Sequence, residues 1–165
     1  MNYQLNNFLM SNTENLELRM FGFVNYQLSG TIHAGIQFGH AVVEYGLKYF
    51  NTQEYQKWAN DYKTFIILDG GTTNNNQLNF GTLNHYRELL INNNITIAEF
   101  HEPDLGDQLT AIVFIVDERV FNKTKYPDFD DDSEYHDILY KDWLKLIGGN
   151  RNEILRILLK DKKLA

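Results

Sequence analysis

His33, Gln37, His40 and Glu44 are the residues of this chain whose types and spacing best suit chemistry. In a helix they share one stripe, because intervals of four and three keep side chains on one side at 3.6 residues per turn. Two imidazoles, a carboxamide and a carboxylate can donate to and accept from a ligand, and an imidazole can serve as general base. Taken blandly, His40 is a structural histidine and Glu44 an exposed helix residue. A second set follows near the end of the apolar core: Glu102 as general base or ribose-hydroxyl acceptor, Asp104 and Asp107 beside it, and Thr110 as a hydroxyl donor. The long polar loop from Asp69 to Asn76, with Thr73 in it, could contact a ligand, although its start Asp69-Gly70-Gly71-Thr72 lacks the lysine and spacing of a P-loop. Zinc is not expected, because His33 and His40 are not an i, i+4 pair, and the chain has no cysteine. The acidic run Asp128, Asp130, Asp131, Asp132 lacks the glycine and terminal glutamate of an EF-hand loop, so it reads as a solvated turn. No metal or cofactor is expected.

These residues need elements to hold them. The apolar run at 17–25 reads as a first strand, and the stripe residues then lie on a long helix over 31–49 that Ser29 or Thr31 can cap. Thr52 opens a shorter helix ending near Asp61, and Lys63 to Leu68 reads as a buried second strand. Thr82 caps a helix to Ile91 whose apolar face is Leu83, Tyr86, Leu89 and Leu90. Ile95 to Phe100 and Leu109 to Val116 complete the strands. The order β-α-α-β-α-β-β predicts an α/β fold with a four-stranded mixed sheet flanked by helices. Residues 1–15 read as a polar arm, and 121–132 as a loop. Two further helices follow, one from Ser133 to Ile147 and one that Asn150 caps after Gly148-Gly149. We expect a single domain over 1–165, with a core at 16–121 and a helical C-terminal extension at 122–165.

Two segments resemble a known family. Gln37-Phe38-Gly39-His40-Ala41 is similar to the end of the G-K-x-A-A-Q-x-x-H-A motif of the type 2 peptidyl-tRNA hydrolases. The longer stretch from Leu28 to Ala41 resembles the form L-S-P-x-x-Q-G-I-Q-A-G-H-A of short phage and bacterial relatives, and Glu102 to Ile112 resembles their E-P-D block. The resemblance implies that family's four-stranded α/β architecture, a homodimer, and an ester hydrolase acting on the acceptor end of peptidyl- or aminoacyl-tRNA. His33, Glu102 and Thr110 would then be catalytic, with Gln37 positioning the carbonyl. The motif lysine falls on His33, and Glu102 is the nearest candidate for the motif aspartate. The phage-like form of the motif implies a protein that sequesters a nucleotide.

Charge separates these functions. The formal net charge is −7. Residues 1–116 carry five basic side chains, Arg19, Lys48, Lys57, Lys63 and Arg87, against eleven acidic ones. Polynucleotide binding draws on Lys and Arg to neutralise phosphates, so this core is poorly equipped to grip tRNA. A small nucleotide-type ligand asks for far less. The expected ligand-binding set is His33, Gln37, His40, Gly70, Gly71, Thr72 and Asp104, without ordinary turnover. A tRNA ester hydrolase is the alternative, and a protein-interaction module built on the terminal helices is a third reading. No signal segment and no bilayer-length apolar run is read, which fits a cytoplasmic protein away from membranes.

Overall fold

The computed structural model describes residues 15–28, 31–129 and 136–165. The expected capping residue Ser29, the side chain of Thr31, residues 1–14 of the expected arm, Asp130 to Asp132 of the acidic run and the expected helix start at Ser133 lie outside the described residues. The fold is α/β with a four-stranded mixed sheet. Its strands are β1 (Leu18–Val24), β2 (Thr64–Asp69), β3 (Ala98–Glu102) and β4 (Gln108–Asp117), in the order β2-β1-β4-β3. β1 runs parallel to β2 and antiparallel to β4, and β3 is antiparallel to β4. The helices are α1 (Thr31–Tyr49), α2 (Gln53–Lys57), α3 (Thr82–Asn92), α4 (Glu118–Phe121), α5 (His136–Ile147) and α6 (Asn150–Leu159).

Both faces of the sheet are covered, which is why β4 reads as an unbroken apolar run. Alternate side chains feed two cores. Met20, Val24, Ala111, Val113 and Ile115 pack under Ala34, Phe38, Ala41 and Tyr45 of α1. Phe21, Phe23, Ile112, Phe114 and Val116 pack against Leu83 and Leu90 of α3 and Leu155 and Leu158 of α6. The C-terminal extension thus shares the second core. Gly22 lets α1 approach closely, since a Cβ there would lie 2.5 Å from the Phe38 ring.

Several local expectations change. β2 is an edge strand and not a buried one, with Phe65 half exposed. Its outer side is partly covered by the chain's own distal residues: Asp69 N–H donates to Lys163 O, Ala165 N–H donates to Ile67 O, and Leu68 bridges Leu164. Thr52 caps α2 by accepting from Tyr55 N–H, and the chain then widens into a π-helical turn over Trp58–Tyr62. Gly81 and Gly149, not Thr82 and Asn150, occupy the N-cap positions of α3 and α6. The short helix α4 fills the stretch between β4 and the expected loop, reaching only that loop's first residue, Phe121, and Asp117 caps it by accepting from Arg119 N–H. Gly148 and Gly149 end α5 at positive φ, as a C-terminal turn requires.

Candidate functional site

β1 and β2 are parallel and end side by side, where β4 begins and β3 finishes, and α1 follows β1 within a few residues. In α/β folds the ends of parallel strands are where loops meet ligands. Two hydrogen-bonded chains converge there on β4.

The first chain holds three of the expected residues. Gln37 is buried, and Thr110 has no exposed surface. The Thr110 hydroxyl donates to Gln37 Oε1 at 2.6 Å, with the Phe100 carbonyl as a second acceptor at 3.2 Å. Gln37 Nε2 donates to Glu102 Oε2 at 2.8 Å. A carboxylate only accepts, so this orientation of the amide is the one that serves both neighbours. Gln37 therefore ties α1 to β3 and β4 through contacts 65 and 73 residues away. Thr110 reaches a ligand only after that amide moves. Glu102, the last residue of β3, is half-buried.

The second chain runs through the loop after β2. Asn25, 2 % exposed, donates through Nδ2 to Thr73 Oγ1 at 2.8 Å, and that hydroxyl donates to Leu109 O at 2.7 Å. Asn25 N–H donates to Thr110 O, so the two chains meet at adjacent β4 residues. Gly70 is buried, and its N–H donates to Val24 O. Gly71 adopts φ +73°, donates to Asp69 Oδ1 and accepts from Tyr26 N–H. Thr72 is exposed, and its N–H donates to Thr82 Oγ1. The glycines are thus required by the close approach of Leu83, Val24 and Thr82, and hydrogen bonds to Val24, Tyr26 and Thr82 hold the loop in place.

His33 and His40 are exposed on the flank of α1 that also carries Gln37. The His40 ring lies against Phe100, with centroids 4.4 Å apart. Glu44, one turn further along, is half-buried. Asp104 is exposed in a turn over Pro103–Leu105, and no described contact joins it to the Gln37 chain. Among the described residues, no three His, Asp or Glu side chains converge to hold a metal ion. The sequence pattern missed Asn25 and Phe100, while Thr73 falls within the expected ligand loop; Asn25, a polar residue directly after an apolar strand, was the available signal.

A separate titratable cluster sits at the far end of β4. Asp117 binds Arg119 through two side-chain bonds of 2.9 and 2.8 Å and accepts from Asn152 Nδ2. Burial works against its charge, but the Arg119 hydrogen bonds and charge outweigh it and hold this carboxyl below its ordinary range. Nearby, burial pushes the Glu54 carboxyl up, with Asp117 adding to it and Arg151, 3.3 Å away, opposing. An open hollow of about 230 Å³ is bordered by Glu54, Asp117 and Arg119.

A search of protein-family models finds none that matches this chain, and a search of curated proteins finds no match. No helix among the described residues is long and apolar enough to cross a membrane.

Proposed function

We propose that this chain is a peptidyl-tRNA hydrolase-like protein that binds a small nucleotide-type ligand at the sheet end flanked by His33 and His40, without ordinary turnover. The observation that carries the reading is the closed Thr110–Gln37–Glu102 chain. Of the three groups the resemblance makes catalytic, the Thr110 hydroxyl is sealed in and Glu102 is already hydrogen-bonded to Gln37. A hydrolase needs its nucleophile-activating group within reach of the scissile bond. A binder needs only donors and a surface for the base, and the two exposed imidazoles, with Phe100 beside one of them, supply these. The scarcity of cations in residues 1–116 supports a small anion over a folded polynucleotide. A role in sequestering such a nucleotide follows from the phage-like motif.

The test is a thermal-shift panel of mono-, di- and cyclic nucleotides, run beside a peptidyl-tRNA cleavage assay. A ligand present at a hundredfold excess over its dissociation constant stabilises by about 2.7 kcal/mol, and His33→Ala should weaken that gain. Robust cleavage abolished by His33→Ala would replace this reading with the ester hydrolase, for which half-buried Glu102 at the end of β3 is the favourable observation. No shift with any nucleotide and no cleavage would leave protein contact as the function.

A further inference from the structure

The C-terminal extension borders a hollow of its own, about 210 Å³ in volume, between the end of α6, α4 and the turn that follows α4. Phe21, Val120, Phe121 and Leu159 line it with apolar surface, and Lys123, Arg156, Lys160 and Asp128 supply its charges. A second hollow of about 230 Å³ shares those four charged residues and extends toward Trp143. Three cations against one carboxylate make a local surplus of two positive charges, on a chain whose net charge is −7. An uneven field of this kind raises the concentration of anions at one place on the surface.

The cations are held in different ways. Arg156 is 4 % exposed and fixed from behind, with Nη1 donating to Arg119 O and Nη2 to Tyr126 O at 2.8 Å. Its Nη2 also donates to Asp128 Oδ1 at 2.6 Å, and Lys123 Nζ donates to the same oxygen at 2.6 Å. These two groups therefore already hold a carboxylate of the chain. Lys160, the C-cap of α6, is exposed and pairs with no carboxylate among the described residues. A cation there offsets the helix macrodipole, but that leaves the apolar hollow beside it without an account. The hollow is also shaped in advance. The Phe121 ring in its wall stacks at 6.3 Å on Phe21 and lies 4.0 Å from the Arg19 guanidinium. An apolar cavity of about 150 Å³ is enough to take a benzene ring.

We propose that this hollow binds a small amphipathic carboxylic acid, with a phenyl-sized apolar end among Phe21, Val120, Phe121 and Leu159 and its carboxylate on Lys160 at the rim. One carboxylate suits a surplus of two charges and leaves Asp128 in place, whereas a polyphosphate would meet Asp128 and the acidic body of the chain as like charges. The hollow adjoins α4, which follows the last residue of β4, while Thr110 lies near the start of that strand. It is thus separate from the sheet end flanked by His33 and His40.

Titration calorimetry of the full chain with 3-phenylpropanoate tests the proposal. Two controls divide the ligand: 3-phenylpropanol keeps the ring without the charge, and acetate keeps the charge without the ring. The acid should bind with a dissociation constant of about 1 mM or lower, the alcohol at least about tenfold more weakly, and acetate not measurably. Added salt should weaken the acid and spare the alcohol. Lys160→Gln breaks no ion pair among the described residues, so the fold is retained, and it should weaken the acid about fivefold while leaving the alcohol unchanged. Leu159→Trp should fill the hollow and abolish binding of both. No binding of the acid up to about 10 mM overturns the proposal. So does equal affinity for acid and alcohol, or a Lys160→Gln chain that binds the acid as the wild type does. A short peptide ending in Phe forms the last arm, and its binding without that of the free acid also overturns the proposal. Nucleotides are absent from every arm, so each result leaves the nucleotide panel to stand or fall by itself.

Discussion

Thr110→Val examines the buried strut directly. Thr110 has no exposed surface, and its hydroxyl lies 2.6 Å from Gln37 Oε1. Valine keeps the branched shape and removes the donor. Gln37, only 8 % exposed, is then left with an acceptor that has lost its partner. Stranding a buried acceptor costs about 1–3 kcal/mol, and we expect about 2 kcal/mol here. For a chain of this length that corresponds to a fall in Tm of about 4–8 °C. The assay is urea unfolding followed by circular dichroism, with the midpoint moving at constant m. Gln37→Met, alone and combined with Thr110→Val, completes a double-mutant cycle. The combined variant should be more stable than the two single losses imply, by about 1 kcal/mol, because the stranded acceptor has gone. A loss below about 0.5 kcal/mol for Thr110→Val, or strict additivity, would show that water satisfies the amide and that the strut is not closed.

Gly71→Ala should destabilise by about 2–3 kcal/mol, because the new methyl combines strain at positive φ with a clash. Its Cβ would lie 2.1 Å from Thr82 Oγ1 and 2.9 Å from Thr82 Cβ, so adding Thr82→Gly, which removes both atoms, should recover the clash but not the strain, as urea midpoints would show. For Asp117 the folded carboxyl is held down, so its stabilisation is present above the ordinary aspartate range and lost as pH falls through the depressed value. Asp117→Asn should cost about 3 kcal/mol near neutrality by leaving Arg119 without its partner, and little in acid, read from midpoints between about pH 3 and 8. Glu54 runs the other way. Its raised carboxyl contributes stability below the ordinary glutamate value that is lost as pH rises through the folded value, so Glu54→Gln should gain on the wild type across that window.

Periodicity carried most of the architecture. The apolar run at β1 and the helical spacing of α1 give element bounds that the structure reproduces to within a residue. The run from Lys63 to Leu68 misled, because its apolar composition is that of a central strand while the connection order places it at the edge. Nothing local marks a strand as outermost; that depends on which strand β4 chooses to pair with. The stripe of His33, Gln37 and His40 was legible from spacing, but the partners of Gln37 were not. They come from β3 and β4 through pairing across the sheet, which helical periodicity does not encode. Gly70 and Gly71 illustrate the same gap: a glycine-bearing loop suggests ligand approach, whereas here the missing side chains make room for Leu83 and Thr82.

The bridge between Leu68 and Leu164 has a bearing on colloidal behaviour. An unprotected outermost strand is a template onto which foreign backbone can add, leading to open-ended fibrils. Here part of that template is occupied in cis by residues 163–165. Removing those three residues should speed thioflavin-positive deposition more than it lowers the melting temperature, separating resistance to aggregation from thermodynamic robustness.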